Sequence, residues 1–111
     1  MEFKTVSIGE FKKILEKSTT PVLGVFFGTW CPYCRVNIPE IITHFNTIEK
    51  NYNAYLIHVE ENENVWSEDN NTEWALNVVP TFRIYDKNKV VWQHEKEIKP
   101  KKLENIIKTY L

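Results

Sequence analysis

The run Val22-Leu23-Gly24-Val25-Phe26-Phe27 leads directly into Gly28-Thr29-Trp30-Cys31-Pro32-Tyr33-Cys34, and Ile38, Ile41, Ile42, Phe45 and Ile48 then recur at helical spacing. Six almost wholly apolar residues bounded by Pro21 and Gly28 read as a strand covered on both faces. The periodic stretch after them reads as a long helix, kinked by Pro39 within it. A strand buried on both sides needs a layer above and a layer below. The unit from Val22 to Val59, strand then helix then strand, pairs its strands in parallel through a right-handed crossover. All-helical and all-β architectures are thereby excluded.

The remaining elements fit around this unit. Ser7 followed three residues later by Glu10 is a capping box, and Ile8, Phe11, Ile14 and Leu15 mark a helix from Ile8 to Lys17 that Thr19-Thr20-Pro21 ends. Ala54 to Val59 reads as a second buried strand, and Thr72 to Asn77 as a short helix. Thr81 to Tyr85, a turn at Asp86-Lys87-Asn88-Lys89 and Val90 to His94 read as a hairpin. Pro100 opens a last helix with Leu103, Ile106, Ile107 and Tyr110 on its apolar face. Glu2 to Val6 adds an edge strand. The expectation is an α/β chain with a mixed sheet of four to five strands and helices on both faces. With 111 residues it is read as one domain, residues 1–111.

Charge and hydropathy narrow the function. Fourteen lysines and arginines stand against 15 acids, which gives no electrostatic footprint for nucleic acid. The Val22–Gly28 run is far shorter than the roughly 20 residues that cross a bilayer. Met1-Glu2-Phe3-Lys4-Thr5-Val6 lacks the features of a signal peptide. The expected setting is a cytoplasmic monomer without membrane contact, although a chain whose leader had been removed would read the same.

Cys31 and Cys34 are the only cysteines. They sit where a strand gives way to a helix. A sulfur there faces unpaired N–H groups and the positive end of the helix dipole, which favour thiolate and bring cysteine pKa values to roughly 3.5–7.5. Arg35 adds positive charge nearby. Two intervening residues let the sulfurs close a Cys31–Cys34 disulfide. Cys31, ahead of the first turn, is the expected exposed nucleophile, and Cys34, inside it, the buried resolving thiol. Two other readings stand beside this one. A metal site needs more ligands than the pair supplies, and His44, His58 and His94 are not at short ligand spacing. A structural pair has little use in a reducing compartment.

From Phe3 to its end the chain resembles the thioredoxin family. The stretch Phe26 to Cys34, with Trp30 before the pair, Pro39 five residues after Cys34, and Val79-Pro80-Thr81-Phe82 carry the likeness. The resemblance implies a thioredoxin fold and a thiol–disulfide oxidoreductase contributing to redox homeostasis. It implies that Pro80 is cis and that Val79 pairs its backbone with an extended substrate. Trp30, Pro32 and Tyr33 would flank the reacting disulfide. Partners would be protein disulfides and a separate reductase or thiol donor, with no bound cofactor and no metal.

The likeness is incomplete. Pro32-Tyr33 between the cysteines is similar to glutaredoxins, yet the Gly-Gly that glutaredoxins use for glutathione is missing after Pro80. A glutathione-dependent enzyme and a non-catalytic binding module of the same fold remain the alternatives. The acid that thioredoxins bury under the site matches Val25, and their neighbouring lysine matches Leu56, which leaves water or a nearby carboxylate, Glu60 or Glu61, as the replacement; the favoured reading of those two residues is as solvated loop acids. A thioredoxin glycine near the substrate groove matches Lys96. The acidic stretch Glu60 to Glu73, with Trp66 and Trp74, is expected to be a solvated excursion whose tryptophans pack on the core, a partner-specific surface being the alternative. The Pro-Tyr dipeptide predicts a reduction potential above the thioredoxin value of about −270 mV, toward the roughly −200 to −230 mV of glutaredoxins. A glutathione redox titration checks this, and a value below thioredoxin's contradicts it.

Overall fold

The computed structural model describes residues 1–111. Its elements are β1 (Lys4–Val6), α1 (Ile8–Lys17), β2 (Val22–Phe27), α2 (Pro32–Phe45), β3 (Ala54–His58), β4 (Thr81–Asp86), β5 (Lys89–Glu95) and α3 (Pro100–Tyr110). They build one five-stranded sheet in the order β1-β3-β2-β4-β5. β3 runs parallel to both β1 and β2, while β4 is antiparallel to β2 and β5 antiparallel to β4. The expected mixed sheet is present, with all five strands.

β2 lies at the centre, and Val22 to Phe26 are buried without a break. Gly24 is where the missing side chain matters. A Cβ there would stand 2.6 Å from Cζ of Phe11, so the strand accepts the α1 phenylalanine only through that gap. Phe11 meets Phe26 edge-on at 5.8 Å and also contacts Tyr55, Trp74 and Tyr85. One ring thus joins α1 to β2, β3, β4 and the segment before β4. The α1 capping box forms as expected, with Glu10 N–H donating to Ser7 Oγ and Ser7 N–H to Glu10 Oε1.

On the other side α2 and α3 pack together through polar anchors. Buried Asn37 donates from Nδ2 to the Ile98 carbonyl at 2.9 Å and accepts from the Ile98 N–H at 3.1 Å, which clamps the β5–α3 loop to α2. His44 Nε2 lies 2.7 Å from Glu104 Oε1, and Lys108 reaches the other oxygen at 2.8 Å. His44 therefore has a partner 60 residues away that spacing along the chain does not reveal.

Two readings are corrected. Thr72 to Asn77 is not a helix. The only helical turn between β3 and β4 is a 3-10 turn at Ser67–Asp69. Asn71 Oδ1 takes the Trp74 and Ala75 N–H groups, offering the backbone a turn in place of a helix. Ala75 has a positive φ of 47°, and Leu76 forms a parallel bridge with Trp66 instead. The α2 helix ends at Phe45, so Ile48 packs from the turn after it. The hairpin turn is a two-residue one at Lys87-Asn88, both at positive φ (51° and 63°).

The Glu104 carboxyl is held down at about 2 against an ordinary 4.5, first by Lys108 and then by His44. A carboxylate with a depressed folded-state pKa contributes stability above its unfolded value and loses it as pH falls through the folded one. The contribution is therefore complete above pH 4.5 and is lost between there and about pH 2. Glu104→Gln is expected to be less stable than the parent near neutrality, with a gap that narrows steadily below pH 4.5 in urea unfolding. A gap unchanged between about pH 6 and about pH 3 overturns the assignment.

Candidate active site

β2 delivers the chain to Gly28, and α2 begins at Pro32. Between them the Cys31 N–H donates to the Gly28 carbonyl at 3.2 Å. Trp30 folds back over Gly28, where a Cβ would stand 2.5 Å from the indole, and its Nε1–H donates to the Val59 carbonyl at 3.1 Å. The indole is thereby fixed to the end of β3. Cys31 is the N-cap residue of α2, and Pro32 occupies the first turn, where its missing N–H costs no helical bond.

The Cys31 sulfur has two partners. It accepts from the Cys34 N–H at 3.3 Å, and its S–H donates to the Val79 carbonyl at 3.4 Å. An N–H at a helix start that points at sulfur is placed to stabilise negative charge there. The Val79–Pro80 peptide is cis, the isomer the resemblance implied. Its carbonyl thus meets the cysteine from a segment 48 residues further along. Both cysteines are unpaired. Cys34 is buried as expected, at 2% exposure, but Cys31 is only 4% exposed because its sulfur turns inward to these two partners. The exposed groups of the turn are Pro32 and Tyr33, and Val36 one helical step beyond Tyr33.

Two clefts flank the pair. One, of about 320 Å³, is walled by Trp30, Trp66, Val78 and Val79 and rimmed by Glu61, Glu68 and Asn77. The other, of about 370 Å³, reaches Cys34 between Phe27, Thr29, Arg35, Ile38 and Pro39. Glu60 and Glu61, the replacements considered for a buried acid, do not line the Cys34 cleft. Glu60 instead faces His58 at 3.5 Å. Val25 and Leu56 are register partners and both buried, so the sheet offers no acid at those positions. Burial pushes the Cys34 thiol up to about 12, helped by its hydrogen bond with Cys31 and opposed by the Gly28 backbone.

The family model described as Thioredoxin matches residues 2–109. The chain belongs to the thioredoxin family. Thioredoxin-like protein slr1139 of Synechocystis sp. is 30% identical over 109 residues, which cover 94% of this chain and 92% of that protein. The fold is similar to that of the reduced Schistosoma mansoni thioredoxin pre-protein, with a TM-score of 0.72 at 20% identity over the whole of both chains. It is also similar to Malassezia sympodialis thioredoxin, with a TM-score of 0.67 at 19% identity over 98% of this chain and 90% of that one.

Set in the thioredoxin fold, the cysteine turn, Trp30 and the Val79–Pro80 segment converge on one end of the sheet. Trp66 and Trp74 are buried on the core, as expected for the acidic stretch, and Trp66 meets Trp30 edge-on at 6.0 Å. Lys96 has a φ of 73°, a left-handed position that suits glycine, and its N–H donates to the Pro80 carbonyl at 2.8 Å. Val36, Asn77 and Val78 were not singled out from the sequence. Val36 alone carried a signal, an apolar residue off the buried stripe of its helix. His44, His58 and His94 lie apart from the thiols, against Glu104, Glu60 and the Glu97 carbonyl. No helix is long and apolar enough to cross a membrane.

A thiol with a pKa raised to about 12 stays protonated far above neutral pH and ionises only as that value is approached. In the folded, reduced protein Cys34 is expected to escape iodoacetamide at about pH 8 and to react on unfolding or in strong alkali. Peptide mapping by mass spectrometry reads this directly. Rapid labelling of Cys34 in the native protein at that pH contradicts it.

Proposed function

We propose that this protein is a thiol–disulfide oxidoreductase acting on protein disulfides through Cys31 and Cys34. The observation that carries the reading is the setting of the Cys31 sulfur, between the Cys34 N–H at the start of α2 and the Val79 carbonyl. The Val79 N–H has no hydrogen-bond partner within the chain, so the residue that meets the nucleophile still has a donor to offer an extended peptide. Trp30 on one side and exposed Tyr33 on the other bound the place where that peptide would lie.

In the reducing direction, the Cys31 thiolate attacks one sulfur of the substrate disulfide. A Cys31–substrate disulfide forms, and the other substrate sulfur leaves as a thiolate and takes up a proton. Cys34 then loses its proton and attacks Cys31. The mixed disulfide breaks, the Cys31–Cys34 disulfide forms, and the second substrate sulfur leaves as a thiol. Two electrons have passed to the substrate, and an external dithiol or reductase restores the pair. Burial delays the second attack, because Cys34 remains a thiol until the mixed disulfide lies beside it. No bound cofactor enters either step.

Insulin disulfide reduction by dithiothreitol tests the reading. The intact protein is expected to accelerate precipitation, and Cys31→Ser to return the rate to the dithiothreitol background. Cys34→Ser should accumulate mixed disulfides with protein partners through Cys31, since release requires the second thiol. No acceleration together with no trapping would remove the enzymatic reading in favour of a binding module.

A further inference from the structure

We propose that the cleft beside Cys31 selects disulfide substrates carrying a lysine or arginine next to the reacting cysteine. This deepens the proposed thiol exchange and rests on it for the position of the substrate. The cleft starts at Val79, whose carbonyl accepts from the Cys31 sulfur. A chain advances at most about 3.3–3.6 Å per residue, so the side chain entering the cleft belongs to a residue one or two places from the substrate cysteine.

The walls and the rim fit a cation. Trp30 and Trp66 supply two indoles, and aromatic faces attract ammonium and guanidinium groups. Val78 and Val79 suit the aliphatic stem of such a side chain. Glu61 and Glu68 stand on the rim, and neither is ion-paired within the fold. By contrast, Glu73 is taken by Lys12 at 2.9 Å and Glu60 faces His58.

The charge is also segregated along the chain. Six of the 15 acidic residues fall between Glu60 and Pro80, and none of the 14 lysines and arginines does. The first cation after them, Arg83, is buried and turned inward to the Trp74 carbonyl and Gln93. Arg35 lines the opposite cleft, on the Cys34 side. The charged residues that line the two clefts are therefore opposite in sign, although the whole chain has a formal net charge of only −1. A field of this kind draws basic segments to the site and disfavours acidic ones.

The test uses peptide disulfides identical except for Lys, Gln or Glu on both sides of the cysteine. At low ionic strength kcat/KM is expected to favour the Lys peptide over the Glu peptide by about tenfold. The ratio should fall toward one near about 1 M salt, where the screening length is about 3 Å. It should also collapse in the E61Q/E68Q double variant. An E2Q/E49Q control removes the same charge from positions away from the cleft and should keep the ratio. Affinities for the same peptides with serine in place of cysteine, read from tryptophan fluorescence, should follow the same order. Equal rates for Lys and Glu peptides, or a preference that survives in E61Q/E68Q, overturns the proposal. If no peptide is turned over, it is the thiol-exchange reading that fails. The serine peptides then decide the cleft: a Lys preference lost in E61Q/E68Q supports it, and equal binding rejects it.

Discussion

Phe11 occupies the space that Gly24 leaves empty in the central strand, and the arrangement of the sheet follows from that fit. The ring touches aromatic residues on β2, β3, β4 and the segment before β4. Burying a side chain of this size contributes about 1.5–3 kcal/mol through transfer from water alone, and its removal from a packed core costs about 3–5 kcal/mol. With Cζ only 2.6 Å from the place of a Gly24 Cβ, the contact has no slack. β2 is held between α1 on this side and the α2–α3 layer on the other. Its end, where Gly28 starts the cysteine turn, is correspondingly well fixed.

The second half of the site arrives by a less regular route. The segment from Val59 to Pro80 contains no strand and only one 3-10 turn, yet its wall residues are anchored. Arg83 holds it to the sheet by donating from Nη1 to the Trp74 carbonyl at 2.7 Å, while Nε donates to Gln93 and the guanidinium lies over Phe26. This is a buried cation satisfied by neutral acceptors, with no carboxylate spent on it. Trp66 donates to the Glu61 carbonyl, and Trp30 to that of Val59. The two indoles of the cleft are thus tied to the backbone that carries its acidic rim. The geometry of the cleft and its charge come from the same stretch of chain.

The sequence made the regular elements legible because each depends on neighbours in the chain. The capping box at Ser7–Glu10, the apolar run of β2 and Pro100 at the start of α3 are local signals, and each element lies where its signal places it. The candidate site could be picked out for the same reason, since Trp30 to Cys34 is continuous. What was misread or left unread comes from distant contacts or side-chain competition. Asn71 captures two N–H groups of the stretch read as a helix. Asn37 meets Ile98 and His44 meets Glu104, each across about 60 positions, and no periodicity marks such pairs. The cover over Cys31 depends on Val79, 48 residues away. A rule based on position in the helix assigned that sulfur to solvent.

The two thiols end up chemically unequal although both are nearly covered. Cys31 has a backbone N–H directed at its sulfur, and Cys34 spends its own N–H on supplying that bond. Burial then raises Cys34 to about 12, with Val25 and Leu56 offering no ionisable group where the resemblance led one to look. A proton leaving Cys34 has two routes. In the proposed exchange one runs toward the departing substrate sulfur, and the other into the cleft between Phe27, Thr29 and Pro39. The first would serve as that substrate sulfur takes on charge while the mixed disulfide breaks. The second opens beside Thr29, whose hydroxyl lies 3.5 Å from His58 Nε2. The inequality of the two thiols, on which the proposed roles of nucleophile and resolving thiol depend, therefore rests on hydrogen-bond direction and burial, two properties of the strand-to-helix turn itself.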